Sequence, residues 1–252
     1  MVKNKTIGYR VFLVFDYVLL ALISILCLLP VVHVAFASFS DPAWVMSQSG
    51  LILWPHGFNV EGYLQVFSNR QLMGSYGNTI LYVVSATAIG LLVTVLGAYP
   101  LSKKEVLFSN TLMLFVSFTM LFNGGMIPDY ILLKDLKMID TMWALMIPGA
   151  INVFNLIIAR TFLMGSIPTA LLEASQIDGC SDARYFFSIV LPLAKPGIVT
   201  ITIFNFIGYW NEYIWALVFS GKQANRTLAV ALQTLVTSMQ TTGNYQGLFA
   251  GV

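Results

Sequence analysis

The sequence predicts an all-α, polytopic membrane helix bundle. Three observations predict it: hydrophobic side chains make up 58% of the chain, charged ones only 10%, and the apolar residues gather into five long, nearly charge-free stretches. With a mean hydropathy of +0.80, the 252 residues are too apolar for an ordinary soluble domain. The stretches cover residues 12–34, 77–99, 111–127, 142–162 and 198–219. Each approaches the roughly 20 residues a helix needs to cross the hydrocarbon core. Helices are required because lipid offers no partner to peptide N–H and C=O groups, and barrel strands would be shorter with alternating polarity. Residues 1–252 are therefore read as one membrane domain surrounded by lipid.

Net charge is +2, and the 13 Lys and Arg residues are spread along the chain, a pattern that excludes a nucleic-acid binder. His33 and His56 are the only histidines, and neither has a second Cys, His or carboxylate at metal-ligand spacing, so no metal site is expected. No HExxH pair, Gly-x-Ser-x-Gly elbow or Walker-type phosphate loop is present, and no catalytic residue is assigned. Without a phosphate loop the chain is not itself an ATPase.

The first stretch follows Lys3, Lys5 and Arg10 and ends near Ala35-Phe36-Ala37, the outline of a cleaved signal peptide. A signal core is typically about 7 to 15 residues, and this run is longer, so it reads as a first span. The segment from Ser38 to Ser75, with Trp44, Trp54, Pro42, Pro55 and Gly57, either packs on the membrane surface or receives another protein. In the fourth stretch, Asn152 and Asn155 are expected to join helices through hydrogen bonds.

Orientation follows from alternate segments. With the N-terminus in the cytoplasm, eight basic residues fall inside (Lys3, Lys5, Arg10, Lys103, Lys104, Arg160, Arg184 and Lys195). Five fall outside, at Arg70, Lys134, Lys137, Lys222 and Arg226, accompanied by Asp41, Glu61, Asp129, Asp135 and Asp140. Five spans from an inside start leave the C-terminus outside, and Tyr245 to Val252 break off where another apolar segment opens. A sixth span is expected, truncated in this sequence.

Residues 166–196, between the fourth and fifth stretches, form the least bland segment. Pro168 suits a helix start, Leu171, Leu172, Ala174, Ser175 and Ile177 give a short amphipathic pattern, and Gly179 falls where a helix ends with positive φ. A second short helix is expected from Ser181 to Ile189, stopped by Pro192 and Pro196. Such a helix–glycine–helix knob fits a groove on a partner, with Leu171, Leu172 and Ile177 as anchors and Glu173, Asp178 and Arg184 as orienting charges. Its alternative, an interfacial helix on lipid, calls for a wide basic face, where this segment carries Glu173, Asp178 and Asp182.

The run from Glu173-Ala174-Ser175 to Gly179, then Ile189-Val190-Leu191-Pro192, closely resembles the EAA loop of binding-protein-dependent ABC importer permeases. That family writes E-A-A, three residues, G, nine residues, then I-x-L-P; Ser175 and Cys180 depart mildly from it. The resemblance implies a cytoplasmic coupling helix in which Glu173, Ala174, Asp178 and Gly179 contact an ATP-hydrolysing subunit. It also implies a second permease subunit, forming a heterodimer, two ATP-binding subunits that hold ATP and Mg, and an extracytoplasmic solute-binding protein. No cofactor is expected in this chain, and the location is the bacterial cell membrane.

Shorter runs are similar to the carbohydrate-uptake branch of these permeases: Asn78-Thr79, Gly97-Ala98-Tyr99-Pro100-Leu101-Ser102, Gly124-Gly125-Met126-Ile127-Pro128 and Trp210-Asn211-Glu212-Tyr213. They imply sugar or oligosaccharide cargo of the maltose or plant-oligosaccharide kind. Asn205, Tyr209, Glu212 and Tyr213 fall at helical spacings that share a face, offering hydroxyl-bonding groups beside aromatic rings for a translocation path. A carboxylate inside an apolar run marks a functional candidate. The alternative is an outer aromatic belt of Tyr209, Trp210, Tyr213 and Trp215, with Glu212 reaching water. Two other readings of the chain remain beside sugar import: a permease for a non-sugar solute, and an ion-coupled secondary transporter.

Overall fold

The computed structural model describes residues 7–103, 105–221 and 226–242. Among them the regular structure is helical throughout. The chain divides into two compact units, one drawn from residues up to Met73 and from Ala231 onward, the other running from Gly74 to Val230.

In the first unit, α1 (Ile7–Ser38) is 32 residues long, about 48 Å at 1.5 Å per residue, and its central apolar window has no buried side chain within the protein. That surface suits lipid. Pro42 opens α2 (Pro42–Ser47), and Asp41 caps it by accepting the backbone N–H groups of Ala43 and Trp44 at 2.9 and 3.1 Å. A small core of Ala37, Val45 and Ile52 lies beside two aromatic stacks, Trp44 on His56 and Phe39 between Phe58 and Tyr63. His33 accepts the Ile52 N–H through Nδ1 at 2.9 Å, so both histidines hold the segment beyond α1 in shape. α3 (Glu61–Ser68) follows.

α4 (Arg70–Ser102), 33 residues long, is the second helix long and apolar enough to cross a membrane. Three further apolar helices are bent. α5 (Ser109–Leu121) turns by 109° into α6 (Met126–Asp135). The predicted stretch 111–127 therefore stops at Leu121, because Asn123 Oδ1 accepts the Gly125 N–H at 2.8 Å and Gly125 takes φ 90°. The predicted stretch 142–162 is likewise interrupted. Only α7 (Trp143–Met146) forms before Pro148 and Gly149, and α8 (Val153–Ser166) restarts behind Asn152, whose side chain accepts the Asn155 N–H at 3.1 Å.

Ile167 is extended, as a residue before proline prefers, and α9 (Thr169–Ile177) leaves at 69° to α8. α10 (Asp182–Tyr185) starts behind Ser181 and widens into a π-helical segment, Phe186–Val190, before the short α11 (Leu191–Leu193). The expected stop at Ile189 is thus corrected: the wide turn gives room for Pro192, whose ring would clash with a tighter turn. The bend comes at Ala194, and α12 (Lys195–Trp210) leaves at 76°. α12 ends at Trp210 and α13 (Ile214–Phe219) follows, so the predicted stretch 198–219 is two helices. α14 (Leu228–Thr242) is absent from the sequence reading. The expected sixth span, from Tyr245, lies outside the described residues.

The second unit holds two cores. One joins Tyr82, Val83, Ala144, Leu145, Tyr209 and Phe219. The other joins Val95 and Ala98 of α4, Leu156 and Leu163 of α8, Leu172 of α9, Tyr185, Phe186 and Val190, and Ile201 of α12. α8 and α12 meet so closely at Gly197 that an added Cβ would lie 2.6 Å from the Phe162 ring. Gly197→Ala is therefore expected to cost about 1–3 kcal/mol, read as a lower melting temperature of the purified assembly. Phe162→Leu in the same chain relieves the clash, giving a non-additivity of about 0.5 kcal/mol or more in the double-mutant cycle.

Candidate functional site

Two regions of the second unit bring together the residues singled out by sequence. The first is α9 and the turn behind it. Leu172 and Ser175 face inward, Leu172 at 8% exposure, and Ser175 Oγ donates to the Leu172 carbonyl at 2.7 Å. Glu173, Ala174, Asp178 and Gly179 are all exposed, and Ile177 is 86% exposed. The anchor set is corrected accordingly. Leu172 belongs to the protein's own core, leaving Ile177 and, less fully, Leu171 as apolar groups on the outer surface.

Gly179 ends α9 at φ 71°. The Cys180 N–H donates to the Ser175 carbonyl at 2.9 Å and the Gly179 N–H to that of Gln176 at 3.0 Å, the paired bonds of a Schellman stop. A single residue able to take left-handed φ thus sets where the chain leaves α9. Behind it, Lys103 pairs with Asp182 at 2.8 Å and lies 4.7 Å from the centre of the Tyr99 ring. Burial works against the Lys103 charge, but hydrogen bonding to Asp182 and Tyr99 outweighs it, and the ammonium pKa is raised. The ammonium is therefore charged at neutral pH, and the pair is lost in alkali as the lysine deprotonates. Since Asp182 is exposed, its contribution to stability is at most about 1 kcal/mol.

The second region is a cavity of about 560 Å³ lined by α4, the α5–α6 turn, the break before α8 and the break after α12. Tyr82 and Tyr209 meet edge to face at 5.7 Å, and the Tyr209 hydroxyl donates to the Gly149 carbonyl at 2.7 Å. Glu212 stands in the break between α12 and α13, where its Oε1 accepts the Trp215 N–H at 3.2 Å. That bond serves one of the peptide donors left open at the start of α13. Asn123, Asp129, Gly149 and Trp215 complete the polar and aromatic part of the wall.

Of the four residues placed on one face by spacing, Tyr209 and Glu212 line this cavity. Asn205 is 6% exposed and accepts from Asn155 Nδ2 at 2.7 Å, joining α12 to α8. Tyr213 packs against the first core. Helical spacing fails beyond Trp210 because the helix stops there. Sequence reading missed Tyr82, Asn123, Asp129 and Gly149 as residues that line this cavity with Glu212; the Pro148-Gly149 pair was the available signal for a broken helix. Asn155 joins helices as expected, whereas Asn152 caps α8.

Residues 6–252 match the family model described as the binding-protein-dependent transport system inner membrane component. The chain belongs to this family. A polygalacturonan/rhamnogalacturonan transport system permease protein of Bacillus subtilis (strain 168) is 39% identical over 227 residues, covering 90% of this chain and 79% of the relative. An arabinooligosaccharides transport system permease protein of Halalkalibacterium halodurans is 27% identical over 236 residues, 92% of this chain and 83% of the relative. Among solved structures, a chain of a bacterial ABC transporter involved in importing the acidic polysaccharide alginate superimposes with a TM-score of 0.86 at 30% identity. The match covers 98% of this chain and 91% of that one. The protein is a multi-pass membrane permease subunit of a binding-protein-dependent importer.

In this permease the Asn155–Asn205 bond is a buried polar link between α8 and α12. Asn205→Leu leaves Asn155 without its partner and is expected to destabilise the purified assembly by about 1 kcal/mol. Asn155→Leu with Asn205→Leu removes both polar groups and is expected to recover part of that loss in the same thermal melt.

Proposed function

We infer that this permease subunit translocates a sugar or oligosaccharide delivered by an extracytoplasmic solute-binding protein, and that α9 with Gly179 couples it to an ATP-binding subunit. The observation that carries the coupling is the two-sided character of α9. Its inner side is fixed in the core shared with α4, α8 and α12, while Glu173, Ala174, Ile177, Asp178 and Gly179 are presented outward. A partner gripping the outward side moves helices, not a loose loop. ATP and Mg belong to two partner ATP-binding subunits, and this chain supplies no catalytic group. A second permease subunit, different from this one, completes the passage.

Carbohydrate cargo is supported by the functions of the relatives and by the cavity's chemistry. Tyr82, Tyr209 and Trp215 offer aromatic faces, and Asn123, Asp129 and Glu212 offer groups that bond hydroxyls. The passage opens between two rocking permease halves, a rigid-body transition driven by closure of the nucleotide subunits. The N-terminus and residues 166–196 lie on the cytoplasmic side in this reading.

Charge reversal at Glu173 and Asp178 tests the coupling. In proteoliposomes holding the whole importer, Glu173→Lys with Asp178→Lys is expected to lower ATP-driven uptake at least about tenfold while the permease still reaches the membrane. Unchanged uptake defeats the assignment. Sidedness has its own test in a Cys27→Ser chain: a membrane-impermeant thiol reagent is expected to reach Cys180 only after the cells are permeabilised.

A further inference from the structure

We propose that the segment between α1 and α3 rests on the membrane–water boundary at the C-terminal end of α1, with Leu51, Leu53 and Trp54 set among the lipid headgroups. Two contacts within the first unit fix its depth. After α2 the chain turns back along α1, so that the Ile52 N–H reaches His33 at 2.9 Å and the Trp54 ring lies 6.0 Å from that of Phe36. His33 stands ahead of the helix end at Ser38, about 8 Å back along the axis at 1.5 Å per residue. The apolar run 12–34 is about 34 Å long at the same rise, close to the ~30 Å of a hydrocarbon core, so its last turn, which holds His33, marks the core's edge. Ile52 and Trp54 are thereby brought back to that edge. Ile52 turns inward to Ala37 and Val45, while Leu51 and Leu53 on either side of it are exposed and Trp54 is 77% exposed.

The chemistry of the segment matches that depth. From Pro42 to Val60 the sequence holds no Asp, Glu, Lys or Arg, and Asp41 and Glu61 stand at its two ends. Tryptophan is favoured at headgroup level because its ring is apolar while its indole N–H still bonds water or a headgroup. The irregular backbone over 48–60 keeps the segment from going deeper, since its peptide groups need water or headgroups. The exposed apolar side chains also continue the surface of α1, whose central window has no side chain buried within the protein, so lipid covering the one reaches the other. A protein that docks and leaves, as a solute-binding protein does, is steered by charge, and this segment offers none.

The test places a bimane label on Leu53→Cys in the whole importer, in nanodiscs, with every other cysteine of the assembly replaced by serine. Label emission is measured with 5-doxyl or 12-doxyl phosphatidylcholine in the bilayer, and separately with iodide in the water. The 5-doxyl lipid is expected to quench at least about twofold more than the 12-doxyl lipid, as a depth of about 5–10 Å requires. Leu51→Cys is the second labelling position should the first variant not assemble, with the same expectation. Quenching by iodide without quenching by either lipid puts the segment in water, and stronger quenching by the 12-doxyl lipid puts it inside the hydrocarbon. Either result overturns the proposal. So does a label that neither lipid nor iodide reaches, the outcome expected where another subunit covers this surface.

Discussion

A break in a membrane-embedded helix frees peptide groups that lipid cannot satisfy, and the second unit is organised around meeting that demand. Two breaks, at 147–152 and 211–213, face the same cavity. Each is closed by side chains. Tyr209 donates its hydroxyl to the Gly149 carbonyl, Asn152 receives the Asn155 N–H, and Glu212 receives the Trp215 N–H. The polar groups that repair the backbone are therefore the groups, or the neighbours of the groups, that give the cavity its polarity. Irregular backbone at membrane depth is tolerated where protein or a cavity surrounds it, and here one set of residues provides both the tolerance and the lining.

The same constraint explains why the cavity sits between helix ends. A continuous helix presents only side chains to a passage, because its peptide groups are already paired. Interrupted helices bring carbonyls, N–H groups and short polar side chains to the surface, with dipole ends that favour defined charges. α13 begins behind Glu212 and α6 carries Asp129 in its first turn, so both acids stand at positive helix ends.

How much of this was legible in the sequence depended on how local each cause was. The apolar runs 12–34 and 77–99 gave the middles of α1 and α4, which extend beyond them at both ends, because length and composition mark the apolar part of a helix and not its polar ends. α9 was legible down to its last residue, since Pro168 and Gly179 act within one turn. The breaks inside the other three apolar stretches were not: Asn123-Gly124-Gly125, Pro148-Gly149 and Asn211-Glu212 are ordinary punctuation marks, but they lie inside apolar runs long enough to read as unbroken. α14 escaped because Gln233, Thr234 and Thr237 dilute its apolar residues below the strength of a span. The cavity was least legible of all. Tyr82, Asp129, Gly149 and Glu212 are scattered over four segments, and Asn205, correctly placed one turn from Tyr209, is taken by Asn155 on the neighbouring helix. Helical spacing places a residue on a face of its own helix without saying what that face meets.

The contacts between α8 and α12 give the coupling proposal its mechanical basis. Phe162 on Gly197 and Asn155 on Asn205 join α8 to α12, and Tyr209 on Gly149 joins α12 to the break ahead of α8, the three being spaced along α12 from its first turn to its last. Tyr209 is 12 residues on from Gly197 along the helix, about 18 Å at 1.5 Å per residue. Helices pinned at three levels over that distance tilt as one body, since sliding one past the other would separate a buried amide pair and a glycine-deep contact together. α9 is bonded to α8 through the Ile167-Pro168 bend and packed on the same core through Leu172. A displacement imposed on α9 therefore has a stiff route to the break that carries Glu212. The π-helical segment at Phe186–Val190 lies on the other branch, between α10 and α12, and its Phe186 and Val190 side chains are buried in the same core. Both branches from α9 to α12 therefore run through packed side chains.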